Sequence, residues 1–212
     1  MSDSQDEYIK VVLLGESGVG KTNLINILTG GEFNENEKLT MASSFLLKKI
    51  KVNDKEYTIQ IWDTIGHEKL RTLTKLFYTN SKIVIFVYDI SVKASFEALK
   101  NYWINDVEQK LGKDIIKGVV GNKIDLFLNE EVSREEGEEF ANSINAQFLL
   151  TSAKSDNPSN FEGFLTKLYE EYLTKKGDIQ PEKKINVKTK NKNIVLDTKK
   201  KNVGGGNGKK CC

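Results

Sequence analysis

Cysteine is nearly missing from this 212-residue chain: there are two, Cys211 and Cys212, both at its far end. Neither can staple a core, which excludes a disulfide scaffold. A single histidine, His67, with no cysteine in the body of the chain, leaves too few ligands for a zinc site. No apolar run approaches the roughly 20 residues that span a bilayer. The opening MSDSQDEYIK is polar and acidic where a secretory leader needs a basic start and an apolar stretch, so the chain is expected to stay in the cytosol.

What is present describes an ordinary globular domain, with 38% hydrophobic and 29% charged residues. The length fits one α/β domain plus a tail. The net charge of +2 conceals a division: Pro181 to Cys212 holds ten lysines and two acids, a net of +8, while the 22 bases and 28 acids before it leave −6. The body is mildly acidic and the tail basic.

Tyr8 to Leu14 is an apolar run ending at Gly15, the pattern of a buried parallel strand feeding a turn, and Thr22 to Leu28 follows with a helical pattern. Phe45–Val52 and Tyr57–Trp62 flank the turn formers Asn53 and Asp54, which predicts an antiparallel hairpin. Ile83–Tyr88, Ile115–Val120 and Gln147–Leu150 give three more strands. Helical patterns occupy Ser95–Leu111, Ser133–Asn142 and Phe161–Lys175, the second opened by the capping box Ser133-Arg134-Glu135-Glu136. Alternating β and α units imply a six-stranded, mostly parallel sheet with one antiparallel strand and helices on both faces. An extension over 1–7, a domain over 8–174 and a basic tail over 175–212 follow. Lys, Asn and Gly204-Gly205-Gly206 in that tail cannot bury enough surface to fold.

Gly15-Glu16-Ser17-Gly18-Val19-Gly20-Lys21-Thr22 matches the phosphate-loop pattern G-x-x-x-x-G-K-[ST], between a predicted strand and a predicted helix. Its glycines let backbone N–H groups wrap phosphates, the helix N-terminus adds positive potential, Lys21 reaches the outer phosphates and Thr22 can ligate Mg²⁺. The loop does not name the base, since ATPases, kinases and GTPases all use it. Asn122-Lys123-Ile124-Asp125 follows another predicted strand and reads N-K-x-D.

Together these motifs resemble the small GTPases, in which the aspartate accepts two hydrogen bonds from guanine; adenine would leave Asp125 without donors. Thr151-Ser152-Ala153-Lys154 resembles that family's third base-contacting loop, although a polar turn would read the same way. Trp62-Asp63-Thr64-Ile65-Gly66-His67-Glu68 resembles W-D-T-A-G-Q-E, which implies that Asp63 holds Mg²⁺ through water and that the Gly66 N–H senses the γ-phosphate. The same register puts Thr40 at the family's Mg²⁺ and γ-phosphate threonine, Phe33 where an aromatic stacks on guanine, and Asn23 beside the phosphate loop.

The resemblance is to the Rab branch. It covers about Tyr8 to Leu173 and includes Thr58–Thr64, Leu70–Thr74, Val87–Ile90 and Ser95–Glu97. It implies a monomeric GTP/GDP switch that recruits effectors in vesicular traffic. Its partners would be exchange factors, activating proteins, a GDP-dissociation inhibitor and an escort protein. Cys211 and Cys212 resemble paired prenylation sites; two lipid chains anchor stably where one does not. Tail lysines add attraction to anionic lipid. The chain would cycle between cytosol and the cytoplasmic face of intracellular membranes. Nucleic acid is the rival reading of a basic tail, but no aromatic interleaves the lysines. A P-loop kinase is disfavoured because no arginine-rich lid segment is present. Arg71 sits where the family has a switch II arginine, and is assigned to partner contacts.

Three departures stand out. His67 occupies the place of the glutamine that orients the attacking water, Ile65 replaces a small alanine, and switch I reads Thr40-Met41-Ala42-Ser43-Ser44-Phe45 where T-I-G-V-D-F is usual. Slow hydrolysis is expected. The alternative is a GTP-loaded, membrane-tethered binding module with negligible turnover.

Overall fold

A computed structural model describes residues 8–38, 40–66 and 71–179. Six strands are present: β1 (Ile9–Leu14), β2 (Ser44–Val52), β3 (Lys55–Asp63), β4 (Ile83–Asp89), β5 (Ile116–Asn122) and β6 (Gln147–Leu150). They form one sheet in the order β2-β3-β1-β4-β5-β6, and only the β2–β3 pair is antiparallel. The fold class matches the expectation from sequence. Asn53 and Asp54 both take positive φ, 47° and 63°, which makes the two-residue β2–β3 turn.

β1 is the clearest case of sequence dictating placement. It lies inside a sheet that helices cover on both faces, so both of its faces are apolar, and alternate side chains divide between two cores. Val11 and Leu13 join Ile85, Val87 and Ile61 on one face, covered by α1 (Lys21–Leu28) and α6 (Pro158–Lys176). Val12 and Leu14 join Val84, Phe86 and Tyr88 on the other. That second face is covered by α3 (Lys93–Ala98), a π-helical turn (Leu99–Trp103), α4 (Ile104–Leu111) and α5 (Arg134–Ser143).

α2 (Arg71–Tyr78) and the 3₁₀ helix Ile124–Asn129 were not foreseen; at eight and six residues each falls short of the window in which a period is read. Buried Tyr78, at the end of α2, donates its hydroxyl to Asp106 of α4. The Ser133 cap forms with one arm only: its hydroxyl accepts from the Glu136 N–H, while the Glu136 carboxylate pairs with Lys93 instead. α6 starts at an Asn157 cap with Pro158 in its first turn. It ends at Gly177, whose φ of 85° lets the Asp178 N–H reach the Leu173 carbonyl. Among the described residues no helix is long and apolar enough to cross a membrane.

Because β1, β3, β4, β5 and β6 run parallel, their C-terminal ends share one edge, the usual place for a ligand in such sheets. The phosphate-loop, W-D-T, N-K-x-D and T-S-A-K motifs all lie at those ends.

Phe161 is 1% exposed in the core between α6 and the sheet. Phe161→Ala is expected to cost about 3–5 kcal/mol, measured as a lower midpoint in urea denaturation with an unchanged slope.

Candidate functional site

A cleft of about 300 Å³ opens at that edge. Its walls include Ser17, Gly18, Gly20, Lys21, Thr22 and Asn23 from the loop after β1, Phe33 and Thr40 from the segment before β2, and Gly66 after β3. Asn122, Lys123 and Asp125 come from the end of β5, and Ala153 and Lys154 from beyond β6. Residues as far apart as Lys21 and Lys154 thus face one space. Glu35, Glu37, Lys38 and Leu126 line it too, and sequence reasoning had not picked them out.

Asn122 ties the two halves together. Its side-chain N–H₂ donates to the Val19 carbonyl at 2.8 Å, and its Oδ1 accepts from the Ala153 N–H at 3.2 Å. Gly20, at φ 95°, lies against this amide so closely that a Cβ there would collide with Asn122 Nδ2. Ser152, fully buried, donates its hydroxyl to Asp125 Oδ1 and accepts the Lys154 and Ser155 N–H groups at 3.1 Å each. Lys123 takes a left-handed φ of 67° and pairs with Asp89, at the end of β4, at 2.7 Å. Three strand ends are thereby locked to one another.

Lys21 is 5% exposed and donates to the carbonyls of Gly15 and Glu16, at 3.0 and 2.9 Å. Burial pushes its ammonium down to about 8, against the pull of Asp63 and Glu16. The Glu16 side chain turns outward from the loop to accept the Trp103 indole N–H at 2.9 Å, a link across 87 positions that no local pattern announces. Gly66 packs directly on this loop: a Cβ would lie 2.5 Å from Lys21 Nζ and 2.6 Å from the Glu16 carbonyl oxygen.

Thr22, Thr40 and Asp63 converge. The Thr22 hydroxyl donates to Asp63 Oδ2 at 2.7 Å and stands 3.0 Å from the Thr40 hydroxyl. Burial pushes the Asp63 carboxyl upward, opposed by the Thr22 hydrogen bond and the Lys21 charge. Asp63 Oδ1 is buried without a hydrogen-bond partner. An orphaned carboxylate oxygen beside two hydroxyls is the donor set a hard divalent cation takes, so these residues fit Mg²⁺.

On the outer rim, Asn23 and Asn34 exchange hydrogen bonds, 3.0 Å each, and fix the segment that carries Phe33. The Lys154 ammonium lies 5.8 Å from the Phe33 ring centre. The Ile65 side chain is 4% exposed, and its carbonyl accepts from the Thr74 hydroxyl at 3.0 Å. His67, Cys211 and Cys212 lie outside the described residues.

Comparison with known proteins identifies the family. The Ras family model matches residues 10–174. "Ras-related protein Rab-11C" of Dictyostelium discoideum is 38% identical over 177 residues, 82% of this chain and 79% of that protein. Human "Ras-related protein Rab-30" is 38% identical over 156 residues, 73% of this chain and 76% of the relative. Human "Ras-related protein Rab-21" is 42% identical over 147 residues, covering 69% and 65%. This chain belongs to the Rab branch of the Ras family. It is therefore a small GTPase of membrane traffic, and Rab relatives bind GTP or GDP with Mg²⁺.

In this Rab the buried Asn122 amide bridges the phosphate loop and the third base loop. Asn122→Ala leaves the Val19 carbonyl and the Ala153 N–H unpaired, each costing about 1–3 kcal/mol. Release of fluorescent GDP and of fluorescent GTP analogue is expected to quicken at least about tenfold. Unchanged release rates would show the bridge to be dispensable.

Proposed function

We propose that this Rab is a GTP/GDP switch with slow intrinsic turnover. The single observation that carries the reading is the shared cleft, in which Lys21 and Asp125 face one space of about 300 Å³. Phosphates lie along Ser17, Gly18, Val19, Gly20, Lys21 and Thr22, where backbone N–H groups and the N-terminus of α1 favour negative charge. Burial lowers the Lys21 ammonium to about 8, and a phosphate beside it would favour its charged form further. Phe33 and Lys123 flank the base, Asp125 accepts its two donors, and the Ala153 backbone and Ser152, which braces Asp125, support it. Thr22, Thr40 and Asp63 would hold Mg²⁺, which when bound offsets the charge of the phosphates.

The switch itself follows from what Gly66 and Thr40 touch. Gly66 sits on the phosphate loop with no room for a side chain, so its N–H is available to a γ-phosphate and loses that partner on hydrolysis. Thr40 reaches the cation site through the Thr22 hydroxyl and would be released with it. Effectors then read the two segments, and exchange factors, activating proteins, a GDP-dissociation inhibitor and an escort protein act on the same body. Prenyl groups on Cys211 and Cys212 tether the protein to the cytoplasmic face of intracellular membranes.

Slow turnover rests on His67 and Ile65. Small GTPases without helpers turn over at about 10⁻⁴ per second, with a glutamine positioning the water. A neutral imidazole can still orient water, though with different reach. The buried Ile65 side chain fills space where a methyl group is usual, immediately before Gly66. The second reading, a GTP-loaded binding module with negligible turnover, is favoured by the same two residues. Hydrolysis measured with candidate activating proteins separates the two.

Two outcomes are expected. In single-turnover assays His67→Gln and Ile65→Ala each hydrolyse GTP faster than wild type, together by about tenfold, equivalent to about 1.4 kcal/mol of barrier; equal rates in all the proteins would end the slow-turnover reading. In competition binding, wild type ignores ATP, whereas Asp125→Asn loses its preference for guanine by a factor of about 100 or more.

A further inference from the structure

The 3₁₀ helix Ile124–Asn129 carries three consecutive apolar side chains that the core does not use. Leu126, Phe127 and Leu128 are 36%, 64% and 85% exposed, and the helix contains no buried residue. The backbone leaves helical geometry at Leu126, with φ −92° and ψ 25°, so the element is kinked where the three begin. Here the element is held by its backbone and its flanks. The Ile124 N–H donates to the Thr151 carbonyl at 3.3 Å, and the Glu131 and Val132 N–H groups both donate to Ile90, at 2.9 and 3.1 Å. Folding therefore gains little from Phe127 and Leu128, while water pays for their exposure. Single exposed apolar residues are ordinary, but a contiguous set marks a contact surface.

We propose that Leu126, Phe127 and Leu128 form a docking surface for a short basic, apolar segment of a partner protein. The charge beside the patch selects that occupant. Glu130, Glu131 and Glu135 follow it and are all exposed. The nearby cations are already engaged: Lys93 with Glu136, Lys123 with Asp89 at 2.7 Å, and Arg134 with Glu138 at 3.8 Å. A second copy docking through the same patch would set one acidic rim against another, and an anionic lipid surface would be repelled. A segment with leucine-like residues on one side and lysine or arginine on the other satisfies both the apolar triplet and its rim. The surface adjoins the cleft through Leu126 alone, so Phe127 and Leu128 can be altered without touching the nucleotide.

The test uses the full chain loaded with GDP and two synthetic helical peptides of about 18 residues, five turns each, with leucine on one face and either lysine or glutamate on the other. Calorimetry is expected to show binding of the Leu/Lys peptide and not of the Leu/Glu peptide. The Phe127→Ser, Leu128→Ser pair should weaken that binding at least about tenfold, with GDP release unchanged as proof of an intact fold. A second variant, Glu130→Lys with Glu135→Lys, should shift preference to the Leu/Glu peptide. Equal binding of both peptides to wild type, or undiminished binding by the serine pair, overturns the proposal. A concentration-dependent dimer in size exclusion that the serine pair abolishes overturns it in favour of a second copy. Sedimentation of the unlipidated protein with phosphatidylserine vesicles that the same pair abolishes overturns it in favour of lipid.

Discussion

The buried amide of Asn122 is the constraint on which the site depends. One residue at the end of β5 reaches the Val19 carbonyl with its donor and the Ala153 N–H with its acceptor. Both partners are main-chain groups, so neither can rotate away, and the 1% exposure of Asn122 keeps water from competing for them. Gly20 has to be glycine because this amide occupies the space of its Cβ. The loop that meets phosphates and the loop that meets the base are thereby set at a fixed separation. A ligand bound at both ends finds a preorganised cradle and does not have to order one.

Around that bridge the cleft is built from strand ends, and this decides which parts are rigid. Lys123 pairs with Asp89 across β5 and β4, and Asp125 is braced by Ser152 from beyond β6. These contacts are short, partly or wholly buried and anchored in fully buried strands. The cation corner is different in kind. Thr22 belongs to α1, Asp63 to the end of β3, and Thr40 to the segment leading into β2. A single hydroxyl, Thr22, connects the three, and Asp63 is left with one orphaned oxygen. Neutralising that buried oxygen is worth more than any one neutral hydrogen bond there, so the two outer residues are positioned by whatever binds and not by the fold alone.

Much of this was legible in the sequence because it is local. The P-loop spacing, the N-K-x-D tetrapeptide and the Asn53-Asp54 turn each express their geometry within a few residues, and the uninterrupted apolar runs of β1 and β4 announce strands buried on both faces. What stayed hidden joins distant positions. The Trp103–Glu16 bond depends on a π-helical turn that brings the indole to the phosphate loop. The Lys123–Asp89 pair depends on the β4–β5 register, in which Asp89 sits opposite Asn122. The Glu136 carboxylate looked like half of a capping box, yet it forms an ion pair with Lys93 on a neighbouring element. A charge partner across the fold outcompeted a local backbone donor. Leu126 lies just outside the N-K-x-D tetrapeptide and carries no spacing signal of its own, yet it lines the cleft.

On the proposed reading, holding nucleotide and turning it over fall to different parts of this protein. Most of the residues proposed to hold the base and the inner phosphates sit at the ends of β1, β5 and β6. The departures, His67, Ile65 and the run after Thr40, all fall in the two segments that join the sheet at β2 and β3. Ile65 is anchored there by its own burial and by the Thr74 bond to its carbonyl, while Gly66 beside it must still lie flat against the phosphate loop. A side chain bulkier and stiffer than alanine is thereby held immediately before a residue that has no room for one. On the proposed reading, nucleotide binding rests on the rigid half of the cleft and turnover on two side chains outside it.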